Sequence, residues 1–257
     1  VPMKVLILGG TTEASAFARM IAGDSRFEAT LSLAGVTNKP ASHPIDMRIG
    51  GFSEEGGLAM FLMDRKIDVL VDATHPFATN ISMAAKIAAD SCGVHLINIV
   101  RSEWTAGVGD RWTMVPTLAD AIRGLGFNPR RVFMPVGKKE VEISKLAPQH
   151  IYIIRTIDPV PLARLPPLNV TITARGPFDA ESELNLMVSN RVDIIIAKNS
   201  GAAATQAKIV AARTLGLPVI MVQRPPKPHG DACFHSAQEA HEALLIHAKS
   251  ILRNRGV

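Results

Sequence analysis

Lys4-Val5-Leu6-Ile7-Leu8-Gly9-Gly10-Thr11-Thr12-Glu13-Ala14 reads as a buried strand, a sharp glycine turn and the first turn of a helix. Val5 to Leu8 is a continuous apolar run, as a strand covered on both faces requires. Gly9 and Gly10 admit positive φ and close approach to the backbone. Thr11 or Thr12 supplies the helix cap, after which Ala14, Phe17, Ala18 and Ile21 recur on one helical face. A helix that starts at the carboxyl end of a parallel strand presents unpaired N–H groups and partial positive charge, which suits a phosphate. The spacing departs from the G-x-G-x-x-G/A dinucleotide fingerprint: counted from Gly9, Thr11 replaces the second glycine while Ala14 complies with the third position. On pattern alone the turn is either a nucleotide phosphate site or an ordinary strand-to-helix connection.

The same rhythm continues along the chain. Strands are predicted over 4–8, 28–34, 68–72, 95–100, 131–136, 150–155, 170–174, 193–197 and 218–223, and helices over 54–65, 78–92, 118–125, 139–146, 180–190, 202–215 and 237–253. This alternation predicts an α/β fold, with helices on both faces of parallel sheets. Nine strands divide naturally into two sheets. The division is placed near Pro116, after the irregular segment 102–113, giving domains 1–115 and 116–257.

The 257 residues suffice for one large or two small α/β domains. A net charge of +5 comes from scattered basic residues, and aromatics make up only 5%. Neither feature suits nucleic-acid binding, whereas a mild basic bias suits an anionic small molecule. No apolar run approaches the roughly 18–20 residues of a membrane-spanning helix. No leader pattern precedes the first strand, so a cytoplasmic protein without membrane association is expected. Cys92 and Cys233 form no CxxC pair, and Cys92 falls on the apolar face of a predicted helix. His235, His241 and His247 do not share a helical face, so no metal site is expected.

Candidate site residues lie at predicted strand ends. After the second strand, Ser32-Leu33-Ala34-Gly35 stands where an NAD-binding fold usually has a carboxylate for the ribose hydroxyls. None is present, and Lys39 and Arg48 follow, which favours a 2′-phosphate and hence NADPH over NADH, with a solvated surface loop as the alternative. Thr74 and His75, after the third strand, face either cofactor or substrate; His75 is a weak candidate for proton transfer, with a loop-packing role as the alternative. Arg101 either clamps a carboxylate or pairs with Glu103 or Asp110. Lys138 and Lys139 beside a predicted helix start form an anion site or a solvated surface. Lys198, Asn199, Ser200 and Gly201 follow an apolar strand, where an unpaired lysine would be costly. Arg155 and Arg224 end strands in the same way, and Arg175 opens another strand-to-helix turn.

The ordered set Gly9-Gly10-Thr11-Thr12-Glu13-Ala14, Ser32-Leu33-Ala34-Gly35, Arg48-Ile49-Gly50-Gly51-Phe52, Asp72-Ala73-Thr74-His75-Pro76-Phe77-Ala78, Arg175-Gly176-Pro177-Phe178, Ala197-Lys198-Asn199-Ser200-Gly201 and Arg224-Pro225 resembles the precorrin-6A reductases of cobalamin biosynthesis. Members commonly carry arginine where this chain has Val36, and often a second glycine where it has Ala202. The first departure passes any phosphate contact of that arginine to Lys39, Arg48 or another residue.

The resemblance implies two Rossmann-like domains with a cleft between them for NADPH and a tetrapyrrole. It implies hydride transfer that reduces one double bond of precorrin-6A, giving precorrin-6B, an oxidoreductase step on a CH–CH bond. Gly9, Gly10, Thr11, Thr12, Glu13, Ser32, Gly35, Lys39, Arg48, Thr74 and Lys198 to Gly201 are then expected at the cofactor, with the Thr11 hydroxyl available to it. Thr74, His75, Arg101, Lys138, Arg155, Arg175, Lys198 and Arg224 are expected at the substrate. Transient contact with neighbouring pathway enzymes is the protein partnership this implies. The alternatives are a reductase for the cobalt-containing substrate and a non-catalytic NADP(H)-binding redox sensor. The sensor would not need the polar clusters after Asp72 and Ala197.

Overall fold

A computed structural model describes residues 2–35, 42–52 and 57–254, with side chains to 250. In chain order the elements are β1 (Met3–Leu8), α1 (Thr12–Ile21), β2 (Phe27–Leu33), β3 (Asp46–Ile49), α2 (Gly57–Arg65), β4 (Val69–Asp72), α3 (Thr79–Cys92), β5 (His95–Ile99), β6 (Arg111–Val115), α4 (Leu118–Arg123), β7 (Arg131–Pro135), β8 (Ile151–Thr156), β9 (Asn169–Thr173), α5 (Ala180–Ser189), β10 (Ile194–Lys198), α6 (Ala207–Leu215), β11 (Pro218–Val222), β12 (Ala232–Phe234) and α7 (Ala237–Asn254). They form two six-stranded parallel sheets, ordered β12-β5-β4-β1-β2-β3 and β6-β11-β10-β7-β8-β9.

Alternate side chains of β1 enter opposite layers of the first sheet. Val5 and Ile7 pack with Phe17 and Ile21 of α1 and Leu244 and Ala248 of α7. Leu6 and Leu8 pack with Leu58 and Leu62 of α2 and Ala85 and Ala89 of α3. Each large side chain buried this way contributes about 1.5–3 kcal/mol, which explains the unbroken apolar run. In the second sheet, Phe133, Ile153, Ile195 and Met221 pack with Met187 of α5 and Ile209 and Ala212 of α6.

The chain divides into a unit of residues 1–102 and 225–257 and a unit of residues 103–224. This differs from the expected division at Pro116 in two ways. β6, which begins inside the segment read as irregular and runs to Val115, pairs in parallel with β11 and so belongs to the second unit. The tail after Pro225 returns to the first unit, where β12 pairs with β5 and α7 packs on α1.

All nine expected strands are present, and β3, β6 and β12 are additional. These three are edge strands in which no residue is fully buried, so they lack the apolar signature of an interior strand. The expected helix over 139–146 is a 3-10 helix, Val141–Leu146. The one over 202–215 is a 3-10 turn, Ala203–Thr205, followed by α6.

Candidate active site

The β1–α1 turn assigns different work to its two glycines. The Gly9 N–H bonds the Ser32 carbonyl at 3.0 Å. A Cβ at Gly9 would come within 2.6 Å of Leu31 Cδ1, so a side chain there would require Leu31 to shift. Gly10 has φ +107°, and a Cβ there would meet nothing within 4 Å. Its conformation requires glycine, and the space beside it is open. Thr11 is the cap: its Oγ1 accepts from the Ala14 N–H at 3.1 Å and donates to the Ala73 carbonyl at 2.6 Å. The hydroxyl thereby ties the start of α1 to the end of β4. Thr12 and Glu13 lie in the first helical turn, where N–H groups have no partner within the helix. The cradle therefore fits a phosphate through backbone donors and the helix dipole. Thr12 Oγ1 donates to Glu13 at 3.1 Å, and Glu13 is ion-paired with Arg101. Arg101 thus compensates the one negative charge at this helix start.

At the ends of β2 and β3, Arg48 lies in register with Ser32. Its guanidinium donates to Ser32 Oγ at 3.1 Å and to the Gly50 and Gly51 carbonyls at 2.5 and 2.9 Å, and it stacks 3.9 Å over Phe52. A fixed cation therefore occupies the region where a ribose-binding carboxylate would otherwise stand. Gly35, with φ +71°, closes the turn beside Ile49. Lys39 lies outside the described residues.

The end of β4 carries a buried hub that the sequence only half disclosed. Asp72 is fully buried, and its Oδ1 accepts from the Thr74 N–H at 3.0 Å and the Thr74 hydroxyl at 2.6 Å. Lys227 reaches Asp72 Oδ2 at 3.2 Å and Thr74 Oγ1 at 3.0 Å, and Asn98 Nδ2 reaches Asp72 Oδ2 at 3.4 Å. Burial acts to raise the Asp72 pKa, but Lys227 and the Ser82 and Thr74 hydroxyls outweigh it and hold the carboxyl below its ordinary value. Burial pulls the Lys227 ammonium down, with Asp72 opposing. Thr74 is thus engaged internally. Half-buried His75 accepts the Phe77 N–H on Nδ1 at 3.2 Å, which places the proton of a neutral ring on Nε2. Lys227, Asn98 and Ser82 were missed; the available signal was Asp72 itself, a carboxylate closing an apolar strand and so requiring a cation.

In the second unit, Lys198 holds Glu140 at 2.8 and 2.7 Å, and Glu140 Oε2 also accepts the Gly137 N–H at 3.0 Å. Asn199, 1% exposed, brackets the Trp104 backbone with bonds of 2.8 and 2.9 Å. Its carbonyl accepts from Arg224 Nε at 2.8 Å. The Asn199 side chain thus fastens the end of β10 to the Trp104 backbone. Arg155 is 5% exposed, paired with Glu183 through both terminal nitrogens and stacked 3.7 Å over Phe178. Arg175 is exposed and Lys138 half-buried. Ser200 Oγ accepts from the Ala202 N–H at 3.4 Å, and Gly201 has φ +65°. Lys208, which the sequence did not single out, is buried against Trp104 and donates to the Thr205 carbonyl at 2.8 Å. Burial first, with Arg155 adding and Glu183 opposing, pushes its pKa down to about 7.

The first unit thus gathers Gly9–Glu13, Ser32, Arg48, Thr74, His75 and Arg101 at the carboxyl ends of β1 to β5, where open α/β sheets bind ligands. The second gathers Lys138, Lys198–Gly201 and Arg224 around β7, β10 and β11. No described helix is long and apolar enough to cross a membrane.

A family model described as "Precorrin-6x reductase CbiJ/CobK" matches residues 4–245. A precorrin-6A reductase from Sinorhizobium sp is 49% identical over 241 residues, covering 92% of this chain and 90% of that protein. A solved structure titled "CobK precorrin-6A reductase" superimposes with a TM-score of 0.89 at 42% identity, over 95% of this chain and 97% of that one. A cobalt-precorrin-6A reductase from Priestia megaterium is 26% identical, over 96% of this chain and all of that protein.

Proposed function

Because the chain belongs to the precorrin-6x reductase family, we propose that it converts precorrin-6A to precorrin-6B with NADPH, in the cytoplasm, as a step of cobalamin biosynthesis. The observation that carries this reading is the β1–α1 turn, where Gly10 leaves open space beside the first-turn amides of α1 that precede the capped Ala14 N–H. When bound there, the nicotinamide cofactor supplies the hydride for a CH–CH bond. The chain's own part is to bind and orient. Backbone N–H groups of Gly10 to Glu13 would hold the pyrophosphate, and Arg101 keeps Glu13 from repelling it. Arg48, with no carboxylate beside it at the end of β2, favours a 2′-phosphate and so NADPH over NADH. For a substrate rich in carboxylates, Lys138, Lys198, Arg175 and Arg224 are the cations offered by the second unit. His75 is positioned by the Phe77 N–H to present a proton on Nε2, and we assign it the weakest role.

The metal-free substrate is preferred over the cobalt form because the Sinorhizobium relative named for the metal-free compound is much more similar than the Priestia relative named for the cobalt compound. The test is oxidation of NADPH by the purified protein with precorrin-6A, read as loss of reduced-cofactor absorbance with one equivalent consumed per macrocycle. Turnover only with the cobalt substrate would reassign the pathway. Tight NADPH binding without turnover on either substrate would instead favour the redox-sensor alternative.

A further inference from the structure

We infer that Lys227 is a positioning residue of the cofactor site, acting through Asp72 and Thr74 on the loop that braces the start of α1. The inference rests on the cofactor reading above and goes beyond it, since Lys227 lies in none of the motifs that define that site. The contacts are continuous. Lys227 Nζ donates to Thr74 Oγ1 at 3.0 Å and to Asp72 Oδ2 at 3.2 Å. Asp72 Oδ1 in turn holds the Thr74 N–H and hydroxyl at 3.0 and 2.6 Å. The peptide between these two residues ends in the Ala73 carbonyl, which accepts the Thr11 hydroxyl at 2.6 Å. Thr11 is the cap of α1. A side chain 155 positions away in sequence thereby fixes the carbonyl on which the phosphate-binding turn leans.

Several observations argue that this is more than charge balance. The lysine side chain is 9% exposed and the aspartate side chain 0%. A buried ion pair in such a place is weak evidence for stability, because desolvation opposes the attraction and an apolar pair of similar volume often serves as well. What an apolar pair cannot do is orient the Thr74 hydroxyl and backbone. The segment carrying Lys227 is itself fixed to the sheet. The Gly230 N–H bonds Asn98 Oδ1 at 2.6 Å, and Asp231 bonds the Leu96 N–H at 2.8 Å. A Cβ at Gly230 would lie 2.4 Å from the Leu96 carbonyl, so this strap admits no side chain at its closest approach. Arg101 also acts on the Lys227 charge, and Arg101 is the residue that neutralises Glu13 at the start of α1. The lysine therefore sits within the electrostatic surroundings of the same turn.

The test compares Lys227→Met, Lys227→Arg and the neutral pair Asp72→Asn/Lys227→Met with the wild type. Three readouts are the melting temperature, NADPH affinity by fluorescence titration without substrate, and single-turnover reduction. Lys227→Met is expected to lower the melting temperature and weaken NADPH binding about tenfold or more. The neutral pair is expected to recover most of the melting temperature while NADPH binding stays weak, and Lys227→Arg to recover part of the affinity. Recovery of affinity together with stability in the neutral pair would overturn the inference and leave Lys227 a charge balance. So would unchanged affinity in all three variants. A wild-type protein that binds no NADPH would overturn the cofactor reading itself, a separate outcome.

Discussion

The two sheets share a strand order over five strands, the sixth being the last strand of the first unit and the first strand of the second, and they differ in what stands at their central crossover. Read from one edge, they run β3-β2-β1-β4-β5-β12 and β9-β8-β7-β10-β11-β6. The bond from the Gly9 N–H to the Ser32 carbonyl has its counterpart in that from the Val136 N–H to the Arg155 carbonyl. Gly10 and Gly137 therefore hold matching places. In the first unit the turn enters α1 directly and the space beside Gly10 is open. In the second, Glu140 folds back onto the Gly137 N–H and holds Lys198. A carboxylate of the chain itself thus occupies an amide that a phosphate would otherwise use. The neighbouring strand ends diverge as well: Ser32 faces Arg48, while Arg155 is closed off by Glu183. One topology thus yields an open turn and a filled one, which is why the cofactor proposal rests on the site and not on the fold.

The largest effect expected is on the open turn. Gly10→Val puts a branched side chain at φ +107° and into the space assigned to the phosphates. Backbone strain costs about 1–3 kcal/mol of stability, while the side chain competes directly with the phosphates, so NADPH affinity should fall by about a hundredfold or more, equivalent to roughly 2.8 kcal/mol. Gly137→Val, at the matching position, should leave that affinity unchanged. Titration of both variants breaks the comparison if the second loses NADPH and the first does not.

Next in size is Lys198→Ala. If Lys198 receives a substrate carboxylate, loss of a charge-assisted hydrogen bond costs about 1–3 kcal/mol. The expected result is a KM for precorrin-6A raised about tenfold, with NADPH affinity little changed. Wild-type kinetics would make Lys198 a partner of Glu140 and nothing more. Glu140→Ala probes the same pair from the other side. Both side chains are partly exposed, so stability should change by less than about 1 kcal/mol. The vacated Gly137 amide and Lys198 should then bind inorganic pyrophosphate, seen as chemical-shift changes at Gly137 that the wild type does not show.

How far the sequence disclosed all this depends on the range of the interactions. The β1–α1 turn was legible because strand, glycines and cap are contiguous, and the family's ordered motifs span most of the chain. The α/β class and the interior strands were legible because burial on two faces demands apolar runs such as Val69-Leu70-Val71. Edge strands carry no such demand, so β6 passed for an irregular segment and moved the expected boundary. Arg155, Asn199 and Lys198 were correctly placed at strand ends. Their partners Glu183, Trp104 and Glu140 lie 28, 95 and 58 residues away, and spacing carries no trace of them. The Asp72–Lys227 hub was hidden for the same reason.

An effect on stability alone separates two buried lysines. Lys227 has a carboxylate; Lys208 has the Thr205 carbonyl, the Trp104 face and Arg155 nearby, with Glu183 giving partial relief. Its folded-state pKa of about 7 lies below the ordinary lysine value. Between the two values the unfolded chain binds more protons, so this group makes stability rise as pH increases through that window. Below the folded value the penalty for burying the charge is present in full. Lys208→Met should therefore raise the melting temperature at pH 7, by about 2–4 °C for a gain near 1 kcal/mol, and remove this group's share of the climb toward pH 10. Lys227→Met should move the melting temperature the other way at pH 7. A matched fall in both variants, measured by calorimetry across that pH range, would mean that Lys208 has a compensating partner and that the two units bury their cations alike.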